Sequence, residues 1–131
     1  MDIGVCDTLY KLSVLGVSIG AVRRFCDCSD RRFEVRQQFG QVAKLDIIAS
    51  SLEANLFYTR LAGHGRGGSG MIDSSVNRWA NDANEALKIG RRLGNKVVLI
   101  GTSTGSTLIT WLSLQPSNKD VQAIILLSPN F

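Results

Sequence analysis

The stretch Lys96-Val97-Val98-Leu99-Ile100-Gly101-Thr102-Ser103-Thr104-Gly105-Ser106-Thr107-Leu108 constrains the fold of this chain more than any other. Four apolar residues run into a Gly-Thr-Ser-Thr-Gly turn, and Leu108, Trp111 and Leu112 follow at helical spacing. A buried strand that turns straight into a helix is the reading that accommodates both periods. The turn is sterically demanding, because a Ser standing proud of a sheet needs neighbours without bulky side chains. Gly101 and Gly105, two residues to either side of Ser103, meet that need. The same turn aims the first backbone N–H groups of the helix at whatever lies over Ser103.

Strand, G-x-S-x-G and helix in that order is the pattern of a nucleophile elbow. The pattern by itself is weak, since Gly and Ser are both abundant here, and its context on a strand-to-helix turn gives it weight. A plainer reading stays open. Gly101 and Gly105 would then bracket an ordinary turn, with Ser103 as the helix N-cap.

The flanking sequence alternates helix and strand. Residues 41–55 read as a helix, with Val42, Leu45, Ile48 (or Ala49) and Leu52 at helical spacing. Residues 56–61 read as a strand that runs into the glycine-rich loop 63–70. Asp73, Ser74 and Ser75 offer caps for a second helix, with Val76, Trp79 (or Ala80), Ala83, Leu87 and Gly90 as its apolar stripe. Arg91 and Arg92 suit its C-terminal dipole, and Gly94 ends it. Strand 96–100, a helix to about Leu114 and strand 121–127 complete the series. This order predicts parallel strands with helices on both faces of an α/β sheet. Both 97–100 and 124–127 are apolar throughout, as expected of strands buried on both sides. Before that, 12–17 is a candidate strand, and the basic, polar residues 23–40 show no clean period.

Composition excludes several other classes. The 131 residues are 44% hydrophobic and 20% charged, an ordinary globular balance rather than a disordered one. The net charge of +4 gathers at Arg23, Arg24, Arg31, Arg32 and Arg36, where only Phe25 and Phe33 are interleaved. A solvated basic face explains that better than a nucleic-acid patch. Cys26 and Cys28 form a lone C-x-C with Cys6 distant, and His64 is the only histidine, so no metal site and no cofactor are expected. An odd cysteine count fits a reducing, cytoplasmic setting. Residues 9–22 are apolar but include Lys11 and are too short to span a bilayer.

From about Ala43 onward the chain resembles the α/β-hydrolase superfamily, in its esterase, monoacylglycerol-lipase and serine-aminopeptidase-like branch. The residues that carry this are Tyr58-Thr59-Arg60-Leu61-Ala62-Gly63-His64-Gly65, then Trp79 and Asp82, then 97–105, then Ile125-Leu126-Leu127-Ser128-Pro129. The resemblance implies a parallel-sheet α/β-hydrolase core, truncated to about three to four strands with flanking helices. Residues 41–131 would form it, and 1–40 remain an unassigned basic segment. It implies Ser103 as nucleophile toward a small ester or lipid-like substrate, and the backbone N–H of Thr104 as an oxyanion donor. His64 would shape the loop at the mouth of the site rather than act as base, because in the family the base follows the nucleophile in the chain. The family's acid and histidine lie beyond the strand matched by 121–127, and its His-Gly loop has no counterpart before Ala43. The chain therefore reads as a fragment, or a disrupted reading frame, of a longer hydrolase. It is expected to be nearly inactive alone and poorly soluble through an apolar sheet edge at 121–127.

Two other readings stand beside this one. A hydrolase half-fold without its triad partners would serve as an inactive interaction module. Gly63, Gly65 and Gly68 also fit G-x-G-x-x-G after a strand, the dinucleotide fingerprint. Against that, Ser69 and Gly70 follow where a helix should open, and Asp82 and Glu85 fall on a helix rather than at the end of the next strand.

Overall fold

The computed structural model describes residues 12–17, 24–26, 39–64 and 68–130. Its elements are β1 (Leu12–Val17), β2 (Arg24–Cys26), α1 (Phe39–Ser51), β3 (Ala54–Thr59), α2 (Val76–Leu93), β4 (Lys96–Thr102), α3 (Thr104–Ser113) and β5 (Val121–Leu127). The fold is mixed α/β. The strands form one sheet in the order β2-β3-β1-β4-β5.

The parallel alternation holds at both ends of this sheet and fails at its centre. β2 pairs parallel with β3, and β4 parallel with β5, while β1 runs antiparallel to both β3 and β4. The sheet is thus mixed and has five strands rather than three or four. The physical reason lies in the pairing. All six residues of β1 are in register with β3 on one side and β4 on the other. An antiparallel strand fills the gap between two parallel neighbours and satisfies both of their inner edges. Both β1 and β2 come from the first forty residues.

The helices lie on both faces. α2 and α3 share one face, where Phe57, Leu61, Ala83, Ala86, Leu87, Val97, Leu99, Leu108, Ile109 and Leu112 form the larger core. On the other face, Leu45 and Ala49 of α1 cover Ala54, Leu56, Tyr58 and Ile100. Ala49, rather than Ile48, completes the buried stripe of α1, and Ile48 and Leu52 are exposed. In α2 the buried residues Ala83, Ala86, Leu87 and Gly90 recur at helical spacing, with Ser75 as N-cap. Val76 lies outside that stripe and is exposed.

β4 is buried on both faces through Val97, Leu99 and Ile100, but β5 is not. β5 forms the edge of the sheet, and only its α3 side is packed, through Ile124 and Leu126. Ile125 and Leu127 point to the other side and are each 38% exposed. The all-apolar run 124–127 was expected to be buried on both faces. It is covered on one because α1 packs over β3, three strands away from the edge.

Two features yield stability predictions. The Thr59 hydroxyl, at the end of β3, is buried and has no hydrogen-bond partner among the described residues. Thr59→Val keeps the β-branched shape and removes the orphan, so it is expected to stabilise the fold by about 1 kcal/mol, read from a urea midpoint. The second feature ties α2 to the start of β5. Arg91 Nε donates to Asp120 Oδ2 at 2.7 Å, and an Arg91 NH2 group donates to Asn118 Oδ1 at 3.0 Å. The hydrogen bond from Arg91 holds the Asp120 carboxyl below its ordinary value of 3.8. A lowered carboxylate pKa adds stability that is full above the unfolded-state value and fades as the pH falls through the folded one. Both side chains are substantially exposed, so Asp120→Asn is expected to cost less than about 1 kcal/mol at pH 7. Chemical denaturation at pH 7 and again below pH 4 checks that the difference shrinks with acid.

Candidate active site

The turn after β4 takes an uncommon backbone conformation. Ser103 sits at φ 52° and ψ −118°. A positive φ is strained for any residue with a Cβ, and a non-glycine residue held in such a region stores on the order of 1–3 kcal/mol. The strain is maintained from both sides. The Ser103 N–H donates to the Leu127 carbonyl at 3.0 Å, fixing the turn to the end of β5. The Ser103 carbonyl accepts from the Ser106 N–H at 2.9 Å, fixing it to the first turn of α3.

Gly101 explains how the helix comes so close. A Cβ at that position would lie 2.5 Å from the Gly105 carbonyl carbon and oxygen and 2.6 Å from the Ser106 nitrogen. The first turn of α3 therefore rests on the bare backbone of β4. Ser103 occupies the N-cap position of α3, yet its side chain makes no capping hydrogen bond. The ordinary N-cap role raised by the sequence is filled in position only, and the hydroxyl is left half-buried and uncommitted to the helix. The Thr104 and Gly105 N–H groups open α3 and have no intrahelical acceptor. With no acidic residue in the first turn, the positive end of the helix dipole is not offset by a side chain.

His64 lies in the turn after β3, whose end shares Leu12 of β1 as a neighbour with the end of β4, and it is 4% exposed. Its ring meets Trp79 edge-on, with centroids 5.5 Å apart, and its Nδ1 is 3.3 Å from the Ala62 carbonyl. Trp79 Nε1 donates to that same carbonyl at 2.8 Å, and the Ala62 N–H donates to Asp82 at 2.7 Å. The two peptide groups that flank Ala62 are thus clamped from α2 by a Trp and an Asp three residues apart on the same helix face. This is the physical content of the Trp79 and Asp82 spacing, and it makes His64 part of a packed turn. Gly63, at φ 81°, supplies the left-handed residue that lets the chain reverse there.

Several other residues singled out in the sequence lie outside the described residues. Gly65 and Gly67 of the glycine loop lie outside the described residues, and Gly68 begins a 3-10 segment, Gly68–Asp73, rather than a helix. α2 opens only at Val76, so the third glycine does not sit at a helix N-terminus as a dinucleotide site needs. Cys6, Cys28, Arg23, Arg31, Arg32 and Arg36 also lie outside the described residues. Among the described residues there is no group of His, Cys, Asp or Glu able to hold a metal ion, and no helix long and apolar enough to cross a membrane.

Sequence reasoning passed over Ser106. It is fully buried, and its hydroxyl lies 2.7 Å from the Gly101 carbonyl and 3.3 Å from that of Leu127. The available signal was a small polar residue one helical turn past Ser103, on the side that must rest against a glycine. No family model, no curated protein and no solved structure matches this chain.

Proposed function

We propose that this chain carries the nucleophile elbow of a serine hydrolase built on an α/β-hydrolase core, acting on a carboxylic or lipid ester. The observation that carries the reading is Ser103 at φ 52° and ψ −118° on the β4–α3 turn, with its hydroxyl free of any capping bond. A serine used only to start a helix takes an extended conformation and bonds the N–H of the first turn, as Ser75 does at φ −148° with Arg78. At Ser103 the chain instead holds a strained residue, the arrangement that presents an Oγ above the carboxyl edge of a sheet.

In this reading Ser103 Oγ attacks the ester carbonyl and forms an acyl-enzyme, and the alcohol leaves. The Thr104 N–H faces the oxyanion that develops on the carbonyl oxygen, assisted by the α3 dipole. Attack needs an acceptor for the Ser103 proton. The one imidazole of the chain, His64, packs on Trp79 with its Nδ1 beside the Ala62 carbonyl, and it precedes Ser103, whereas the base of the family this chain resembles follows the nucleophile. Turnover by the chain alone is therefore expected to be several orders of magnitude below that of a complete triad.

A fluorophosphonate probe followed by peptide mapping tests this. The expected result is slow labelling at Ser103, abolished in Ser103→Ala, with p-nitrophenyl ester hydrolysis close to background. Labelling at another residue, or brisk hydrolysis that survives Ser103→Ala, would overturn the assignment.

A further inference from the structure

The strained turn is braced by a side chain that the proposed chemistry leaves unused. Ser106 is 0% exposed and lies at the crossing of β4 by α3. Its hydroxyl donates to the Gly101 carbonyl at 2.7 Å, with the Leu127 carbonyl at 3.3 Å as a second acceptor. The Leu127 carbonyl is also the acceptor of the Ser103 N–H. The Ser106 N–H meanwhile donates to the Ser103 carbonyl. One residue thus acts on both peptide groups that flank Ser103. It does so directly on the carbonyl side, and on the amide side through the oxygen that holds the Ser103 N–H.

We infer that Ser106 is a positioning residue, whose hydroxyl ties the start of α3 to the ends of β4 and β5 and so holds Ser103 and the Thr104 N–H in reactive orientation. This rests on Ser103 being the nucleophile. The Ser103 carbonyl and the Thr104 N–H belong to one planar, trans peptide, so whatever fixes the first also aims the second. Ser106 is fully buried where the first turn of α3 rests on Gly101, so a residue there must fit the space that serine fills. Alanine satisfies that steric demand as well as serine does. The hydroxyl therefore contributes the tie and not the space, and Ser106→Ala removes the one without the other.

The experiment pairs two readouts on the full chain, wild type and Ser106→Ala. The first is amide hydrogen exchange at Ser103, whose N–H is held by the Leu127 carbonyl, with Ile109 and Leu112 of α3 as internal controls. The second is the rate of fluorophosphonate labelling at Ser103. Exchange at Ser103 is expected to speed up about ten-fold, and labelling to slow by a similar factor, with the control amides unchanged. Ser106→Cys keeps a weak donor and is expected to fall between the two; it also serves as the test should Ser106→Ala not fold. Unchanged exchange at Ser103 overturns the inference, and so does faster exchange with unchanged labelling. If wild-type Ser103 takes no label while exchange still responds to Ser106→Ala, the nucleophile reading fails and the tie itself stands.

Discussion

Gly101→Ala is expected to be the most damaging single-methyl change in this chain. The added Cβ would sit 2.5 Å from two Gly105 backbone atoms and 2.6 Å from the Ser106 nitrogen, and real Cβ atoms essentially never approach so closely. All three obstructing atoms are backbone, so no rotamer change relieves the contact. The first turn of α3 must lift away from β4, which breaks the Ser106 ties to Gly101 and Leu127 and exposes the packing of Leu108 and Ile109. Overpacking a core costs about 1–3 kcal/mol where side chains can adjust, so a loss of about 3 kcal/mol or more is expected here. Urea unfolding followed by far-UV circular dichroism measures it. A variant within about 0.5 kcal/mol of wild type would show that α3 does not rest on β4 as described.

Replacing Ser103 by glycine is expected to stabilise the protein while abolishing the fluorophosphonate labelling proposed for Ser103. At φ 52° and ψ −118° the backbone mirrors an extended conformation that glycine adopts freely and L-residues resist. Glycine sheds strain on the order of 1–3 kcal/mol and gives back roughly 0.5–1 kcal/mol through its more flexible unfolded chain. The net gain is about 1 kcal/mol, and Ser103→Ala, which keeps its Cβ, should show none of it. The order Gly above Ala reverses the usual one, which makes the comparison diagnostic. Thermal or urea midpoints of the three proteins, taken with fluorophosphonate labelling, decide it. A Ser103→Gly variant less stable than Ser103→Ala would mean that the turn is unstrained, and the main support for a nucleophile there would go with it.

Local chemistry made much of the molecule legible in advance. β1 and β5 fall on residues 12–17 and 121–127, as their apolar runs indicated, and α2 is stopped at Gly94. β3 and the start of α1 come two residues earlier than the periodicity placed them, and the end of α1 four residues earlier. The chain turns there through Glu53 at φ 49°, a left-handed residue with no glycine to announce it. Trp79 and Asp82 were visible as a spacing, but their shared target, the backbone of Ala62, lies seventeen and twenty residues away in the chain. Ser106 had no motif of its own, since its worth depends on the carbonyl of Leu127, which reaches it only across the sheet.

The sequence by itself located β1, the elements from about residue 41 onward to within a few residues, and the strand-to-helix turn at Ser103. These follow from local periodicity, capping and the two glycines that a sharp turn demands. Only the tertiary structure decided the direction of β1, the half-exposure of β5 and the strain at Ser103. Strand direction is set by which edges remain to be paired, burial by which helix covers which strand, and strain by contacts from Leu127 and Ser106 that converge on one residue. The first two are relations between distant segments, and the third also needs the Leu127 carbonyl from the neighbouring strand, which no local pattern of residues encodes.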